Sequence, residues 1–262
     1  MSQIIAIALN TFRESIRNRV FASLGFFAIA LLGVVAAMSR ASLNEEIRLM
    51  KDLGLFLVST FAVVIAVFVG VNLLYKEIER KTVYTVMPKP IYRFQFLLGK
   101  YVGLAATMAV LVATMGLALR GTFLIFDGDF GVTMAQALWL VYVEVLVVVA
   151  VALFFSSFST PFLSGLLTFG VFVVGRFHSK LVAPNLLGDR KDIGDAGRLI
   201  EQIVAWVATV SPKLSYFNVT PQVVYDVHLP WSYVGYATAQ GVSYVVVVLI
   251  LASVLFSIRD FV

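Results

Sequence analysis

Cysteine is absent from the 262 residues. That excludes disulfides, thiolate metal sites and a cysteine nucleophile. Charge is scarce as well: Asp, Glu, Lys and Arg make up 13% of the chain, against about 25% in a soluble domain. There are two histidines, His178 and His228, and two histidines without further ligands do not suffice for a metal centre. What is present instead is apolar: 60% of residues are hydrophobic and the mean hydropathy is +0.95. A water-soluble fold this small could not hide so much apolar surface. Lipid removes the problem, because apolar side chains need no hiding from it. No polar stretch is long enough for a sizeable soluble domain. The composition predicts an all-α integral membrane protein in one domain, 1–262.

Catalytic signatures are missing too. A phosphate-cradling loop needs G-x-x-x-x-G-K-[ST]. Here Gly99-Lys100 is followed by Tyr101, and Phe94 stands where the first glycine belongs. There is no H-E-x-x-H zinc motif and no G-x-S-x-G elbow. Ser156, Ser157, Ser159 and Thr160 precede Pro161 and read as a polar turn between two spans. No cofactor is expected in this chain.

Residues 1–19 read as a helix on the membrane surface. Ile5, Leu9, Phe12 and Ile16 fall on one stripe, and Asn10, Arg13, Glu14 and Arg17 on the other side. A cleavable signal peptide would place its basic residues before the apolar run, and here they follow the amphipathic stretch. Six apolar runs then predict six spans, at about 20–38, 53–75, 96–119, 135–155, 162–177 and 233–257. The fifth is short and contains glycine. Between the last two lies a polar-rich segment, 178–231. Within it Leu199, Ile200, Ile203, Val204 and Val207 recur at helical spacing up to Ser211-Pro212. Tyr216, Phe217, Tyr225 and Trp231 follow, as in an interfacial aromatic belt.

Six spans put both termini on one side. If that side is the cytoplasm, the short outer segments hold four basic residues, Arg40, Arg48, Lys51 and Arg120, against ten on the inner side counting Lys100. The long 178–231 segment weighs little in the positive-inside rule. The acids Glu45, Glu46, Asp52, Asp127, Asp129 and others concentrate on the outer side. Cytoplasmic termini are expected. The pI near 9.5 then reflects topology, and no nucleic-acid partner is implied.

The link between the second and third runs, YKEIERKTVYTVMPKPIYRFQFLLGKYVG over 75–103, is the densest charge cluster in the chain. Residues 76–86 can form a short helix, with Glu77 one turn before Arg80 and Lys81. Pro88 and Pro90 stop it. Arg93 and Lys100 can snorkel toward the headgroups. Such a helix suits a cleft in a soluble partner, and an ordinary basic loop reads equally well. Inside the spans, Glu144 is the one acid. A carboxylate at mid-bilayer costs about 2.5–3.5 kcal/mol and turns toward a bundle interior or a cavity. Glu144 and Asn72 are therefore candidates for a translocation path or the bundle interior.

The 75–103 stretch resembles the first cytoplasmic loop of type-2 ABC-exporter permeases. It is especially similar to the branch labelled as permeases for multicopper-enzyme maturation, whose loop carries an acidic-basic run, a proline turn, an aromatic stretch and G-K. The 1–19 helix with Arg17-Asn18-Arg19 looks like the family's elbow helix. SPKLSYFNV, 211–219, resembles its P-N-L-x-x-F-N segment, and FSIRDFV, 256–262, its F-x-x-R-D-F terminus. One departure is Met87-Pro88-Lys89-Pro90, where the family often has a serine before the first proline.

The resemblance implies six spans with an elbow helix and a cytoplasmic coupling helix between spans two and three. It implies pairing with a second copy, or with a related permease, in a bacterial or archaeal inner membrane. It also implies a separate ABC ATPase that holds ATP and Mg and docks on 76–95. Glu77, Glu79, Arg80 and Lys81 would make the coupling contact, with Tyr84 and Arg93 secondary. Two other readings stay open at this level. One is a membrane anchor that uses ATPase cycles to act on an extracytoplasmic protein through 178–231. The other is a secondary transporter, which calls for several intramembrane charges or inverted repeats.

Overall fold

The computed structural model describes residues 2–39, 46–79, 93–126, 128–178 and 211–258. Every regular element among them is helical. In chain order they are α1 (Ser2–Ile16), α2 (Arg19–Ser39), α3 (Glu46–Glu79), α4 (Arg93–Ile125), α5 (Gly131–Ser156) and α6 (Pro161–Arg176). A 3-10 turn (Leu214–Phe217), the short α7 (Thr220–Val224) and α8 (Trp231–Ile258) complete the described chain.

Among the described residues five helices are long and apolar enough to cross a bilayer: α2, α3, α4, α5 and α8. Six spans were the expectation. The run at 162–177 folds as α6, a 16-residue helix. At 1.5 Å per residue such a helix is ~24 Å long, short of the ~30 Å hydrocarbon layer. Pro161 opens it at the first helical position behind an extended Thr160, where the missing N–H costs nothing. The long helices also outrun their apolar cores. α3 begins at Glu46 and takes in Lys51 and Asp52, and α4 continues to Ile125.

Burial sorts the helices. α5 is buried almost all round, with Val145, Val149, Ala150, Ala152 and Leu153 sealed off and Glu144 among them. That pattern marks a central helix. α2 buries a single stripe, Phe21, Gly25, Ala28 and Leu32, and α8 does likewise through Val234, Ala237, Gly241, Val245 and Ala252. Phe26 and Phe27 of α2 point away from the bundle, 76% and 53% exposed.

The helices alternate in direction. The middle of α1 meets the first turns of α4, where a Cβ on Gly99 would stand 2.8 Å from Ile7. Phe96 of α4 stacks on Phe256 of α8 at the same end. We call this end the junction face. At the far face Leu119 of α4 reaches Gly54 of α3, and Lys51 pairs with Asp226.

The surface-helix expectation for 1–19 is refined by α1. Ile5 and Leu9 are open to the surroundings, as an apolar stripe in lipid should be. A second, small-residue stripe packs on α4. Thr11 and Ser15 are fully buried, and a Cβ on Gly103 would stand 2.6 Å from the Ala8 carbonyl oxygen. Glycine at 103 is what permits this approach. Lys100 departs from the snorkelling expectation: it is 1% exposed, with Nζ 5.6 Å from the Phe96 ring centroid.

Candidate functional site

Glu144 sits midway along α5 and is completely buried. Arg176 is the last residue of α6. Because α6 is short, it ends in mid-bundle, and its terminal arginine arrives level with Glu144. Arg176 Nη1 donates to Glu144 Oε1 at 2.7 Å and to Oε2 at 2.8 Å. The same nitrogen lies 2.7 Å from Ser59 Oγ of α3, and that hydroxyl donates to Glu144 Oε2 at 3.1 Å. The guanidinium also lies 6.0 Å from the Phe172 ring centroid, one turn back on α6. Three helices thus meet at one charged knot. A positive side chain in the last turn of α6 also complements that helix's dipole.

The chain that returns at 211–219 closes the space above α6. A Cβ on Gly175 would stand 2.5 Å from the Pro212 carbonyl oxygen and 2.9 Å from Leu214. Phe217 is buried against Gly241 of α8. The residual void beside the knot, lined by Ser59, Glu144, Arg176, Phe217, Asn218 and Thr220 among others, is about 10 Å³. That is the room of a single water, so the knot ties α3, α5 and α6 together with little space beside it.

A second polar feature lies at the junction face. Arg13, Glu14, Arg17 and Arg19 line a cleft of about 770 Å³ with Asn10, Asn18, Val69 and Asn72. Asn72 is exposed there, and its Nδ2 donates to the Phe68 carbonyl at 2.7 Å. Of the two intramembrane candidates, Glu144 lies in the bundle interior and Asn72 at the edge of this cleft. Glu77 and Glu79 fall in the last turn of α3, and Arg93 is the first residue of α4. Arg80, Lys81 and Tyr84 lie outside the described residues, as does the helical repeat at 199–207.

Sequence reasoning missed Arg176 and Ser59. The usable signal was the lone acid at 144, which in lipid calls for a cation; Arg176 closes the one run too short to span.

The five long apolar helices, with a buried charge knot among them and a charged corner at one end, are those of a polytopic membrane protein. The family model described as "ABC-2 family transporter protein" matches residues 5–261. The chain belongs to that family: it is a type-2 ABC permease, the membrane subunit of an ABC transporter, and the family implies an ABC ATPase as its partner. No curated protein matches the chain.

Proposed function

We propose that this chain is the permease subunit of an exporter, with both termini in the cytoplasm of a bacterial or archaeal cell. It works as a homodimer, or beside a related permease, in the inner membrane. A separate ATPase carrying ATP and Mg docks on 76–95. Glu77, Glu79, Arg80 and Lys81 make the main contact, and Tyr84 and Arg93 support it. The 75–103 motif supports the multicopper-enzyme-maturation-like branch.

The observation that carries this reading is the charge of the junction face. The cleft at the α1–α2 corner brings Arg13, Arg17 and Arg19 beside Asn72 of α3. Seven residues further on, α3 ends at Glu79 and leads into the 80–92 link. The positive-inside rule assigns such a face to the cytoplasm, where the ATPase is. α1, packed against α4 at Gly99 and Gly103, fits the elbow-helix role.

The test is co-purification and transport. The chain expressed with its neighbouring ATPase should retain that subunit. Charge reversal at both Glu79 and Arg80 should release it and stop ATP-dependent efflux while the permease still inserts. Retention and transport at wild-type level in the reversed variant would refute the docking assignment.

A further inference from the structure

α6 is lightly held along its sides. Of its 16 residues only Ser164, Thr168 and Gly175 are buried, and none of the three is large. The neighbouring α5 buries 16 of its 26. The bulky side chains of α6 turn away from the bundle, with Phe162 82%, Leu166 58% and Phe169 46% exposed. Helix association in lipid rests on close packing and on hydrogen bonds between helices, and α6 has little of the first. It has the second at one point. Thr168 Oγ donates to the Ser164 carbonyl of its own helix. Among the described residues, the side-chain hydrogen bonds from α6 to other helices all leave from Arg176. All three use Nη1, so moving the tip by about 1 Å stretches them together out of hydrogen-bonding range.

The base of α6 is fixed in another way. In the turn at 157–160, Phe158 stands edge-on to Phe154 and Phe155 of α5, at 5.4 Å and 5.9 Å between ring centroids. The Ser159 N–H donates to the Phe155 carbonyl at 3.0 Å. One extended residue, Thr160, then joins this turn to Pro161, with no side-chain cap. An extended residue between a fixed turn and a lightly packed helix is where a hinge falls. At the tip, backbone stands on one side, since the Pro212 carbonyl oxygen lies 2.5 Å from a Cβ built on Gly175.

We propose that α6 is an arm hinged at Thr160 and Pro161, with its tip pinned to α5 and α3 by the contacts of Arg176 with Glu144 and Ser59. Release of the pin lets the tip swing away from the bundle. Arg176 is a positioning residue in this device, because it fixes where α6 stops beneath the 211–217 segment. The pin opens from one side. Glu144 is wholly enclosed, whereas the arginine side chain is 14% exposed, so the arginine leaves with the arm. The acid that stays behind keeps the Ser59 hydroxyl as a donor. The departing tip uncovers Leu214, which is fully buried and lies against Gly175. Along a ~24 Å helix a pivot of about 10° carries the tip ~4 Å and the base hardly at all. The device belongs to this chain alone and depends neither on the direction of transport nor on the ATPase.

The test is a spin-label distance measurement on the full chain in mild detergent. The chain has no cysteine, so labelled cysteines can be placed at will. One pair joins Val173, near the α6 tip, to Val246 on α8; the other joins Phe162, at the α6 base, to Val246, and all three positions are exposed. Labelled chain is mixed with an excess of unlabelled chain, so that only distances within one chain are read. Without further substitution each pair should give a single narrow distance. Glu144→Gln, which keeps the shape and removes the charge, should add a second population displaced by ~4 Å at the tip and leave the base unchanged. Arg176→Gln should do the same. Arg176→Lys should restore the single population, because the contacts need one cationic nitrogen. A tip distance unchanged in both neutral variants, equal changes at tip and base, or Arg176→Lys matching Arg176→Gln would overturn the proposal. If neither neutral variant folds, Ser59→Ala decides: losing one contact to Nη1 must raise a displaced minority at the tip, and an unchanged tip distance counts against the pin.

Discussion

Arg176 Nη1 bridges both carboxylate oxygens of Glu144, at 2.7 Å and 2.8 Å, in the middle of the bundle. The acid is fully buried and the arginine side chain is 14% exposed. Each partner is what makes the other tolerable in an apolar surround. Removing one from a buried pair costs about 3–5 kcal/mol, because the survivor is left unpaired. Glu144→Leu and Arg176→Leu should each lower unfolding stability in detergent by that order. The double variant should lose clearly less than the sum of the two. Strictly additive losses would show that the pair does not brace α5 to α6.

Three glycines in α6 make an internal comparison. A methyl group at Gly165 or Gly170 meets nothing within 4 Å, whereas at Gly175 it meets the Pro212 carbonyl oxygen at 2.5 Å. Alanine at 165 or 170 should leave stability unchanged or raise it by about 0.5–1 kcal/mol through helix propensity. Alanine at 175 should destabilise, because backbone stands in the way and the displaced turn carries Arg176. Thermal unfolding of the three single variants separates the cases.

Gly103 sets the seat of α1. A larger residue there collides with the Ala8 carbonyl and with Thr11, both at 2.6 Å from an added Cβ. Gly103→Leu should cost about 1–3 kcal/mol, the usual range for overpacking. It should also expose the first helix to limited proteolysis while the spanning helices stay intact. Unchanged protection of residues 2–16 would count against the packing described.

At the far face, Asp226 pairs with Lys51 and adopts φ +53°. The lysine side chain is 9% exposed but the aspartate 77%, so solvent at the carboxylate screens the pair and holds it to about 1 kcal/mol. Asp226→Asn keeps a residue that tolerates the left-handed region and should change stability by no more than that. Asp226→Val should cost about 1–3 kcal/mol more, from backbone strain. Equal effects of the two substitutions would place the cost in the charge and not in the backbone.

Much of this was legible in the residues. Apolar runs located all the long helices, because a spanning segment must satisfy its own backbone hydrogen bonds and leave only side chains to the lipid. Their ends were less legible. Glu46, Lys51 and Asp52 look like loop residues until Lys51 is seen against Asp226. The charged stretch at 75–103 and the terminal motifs pointed to the permease family, and the match over 5–261 agrees.

Membrane class, helical architecture and family were thus settled by residue order, since hydropathy and local motifs act within one segment at a time. The depth at which α6 stops, the partner of Glu144 and the face of α1 that seats on α4 were settled by packing. Ser59, Glu144 and Arg176 lie on three different helices, and nothing in their spacing announces that they meet. Residues 117 positions apart become neighbours because a buried carboxylate without a cation is too costly to keep.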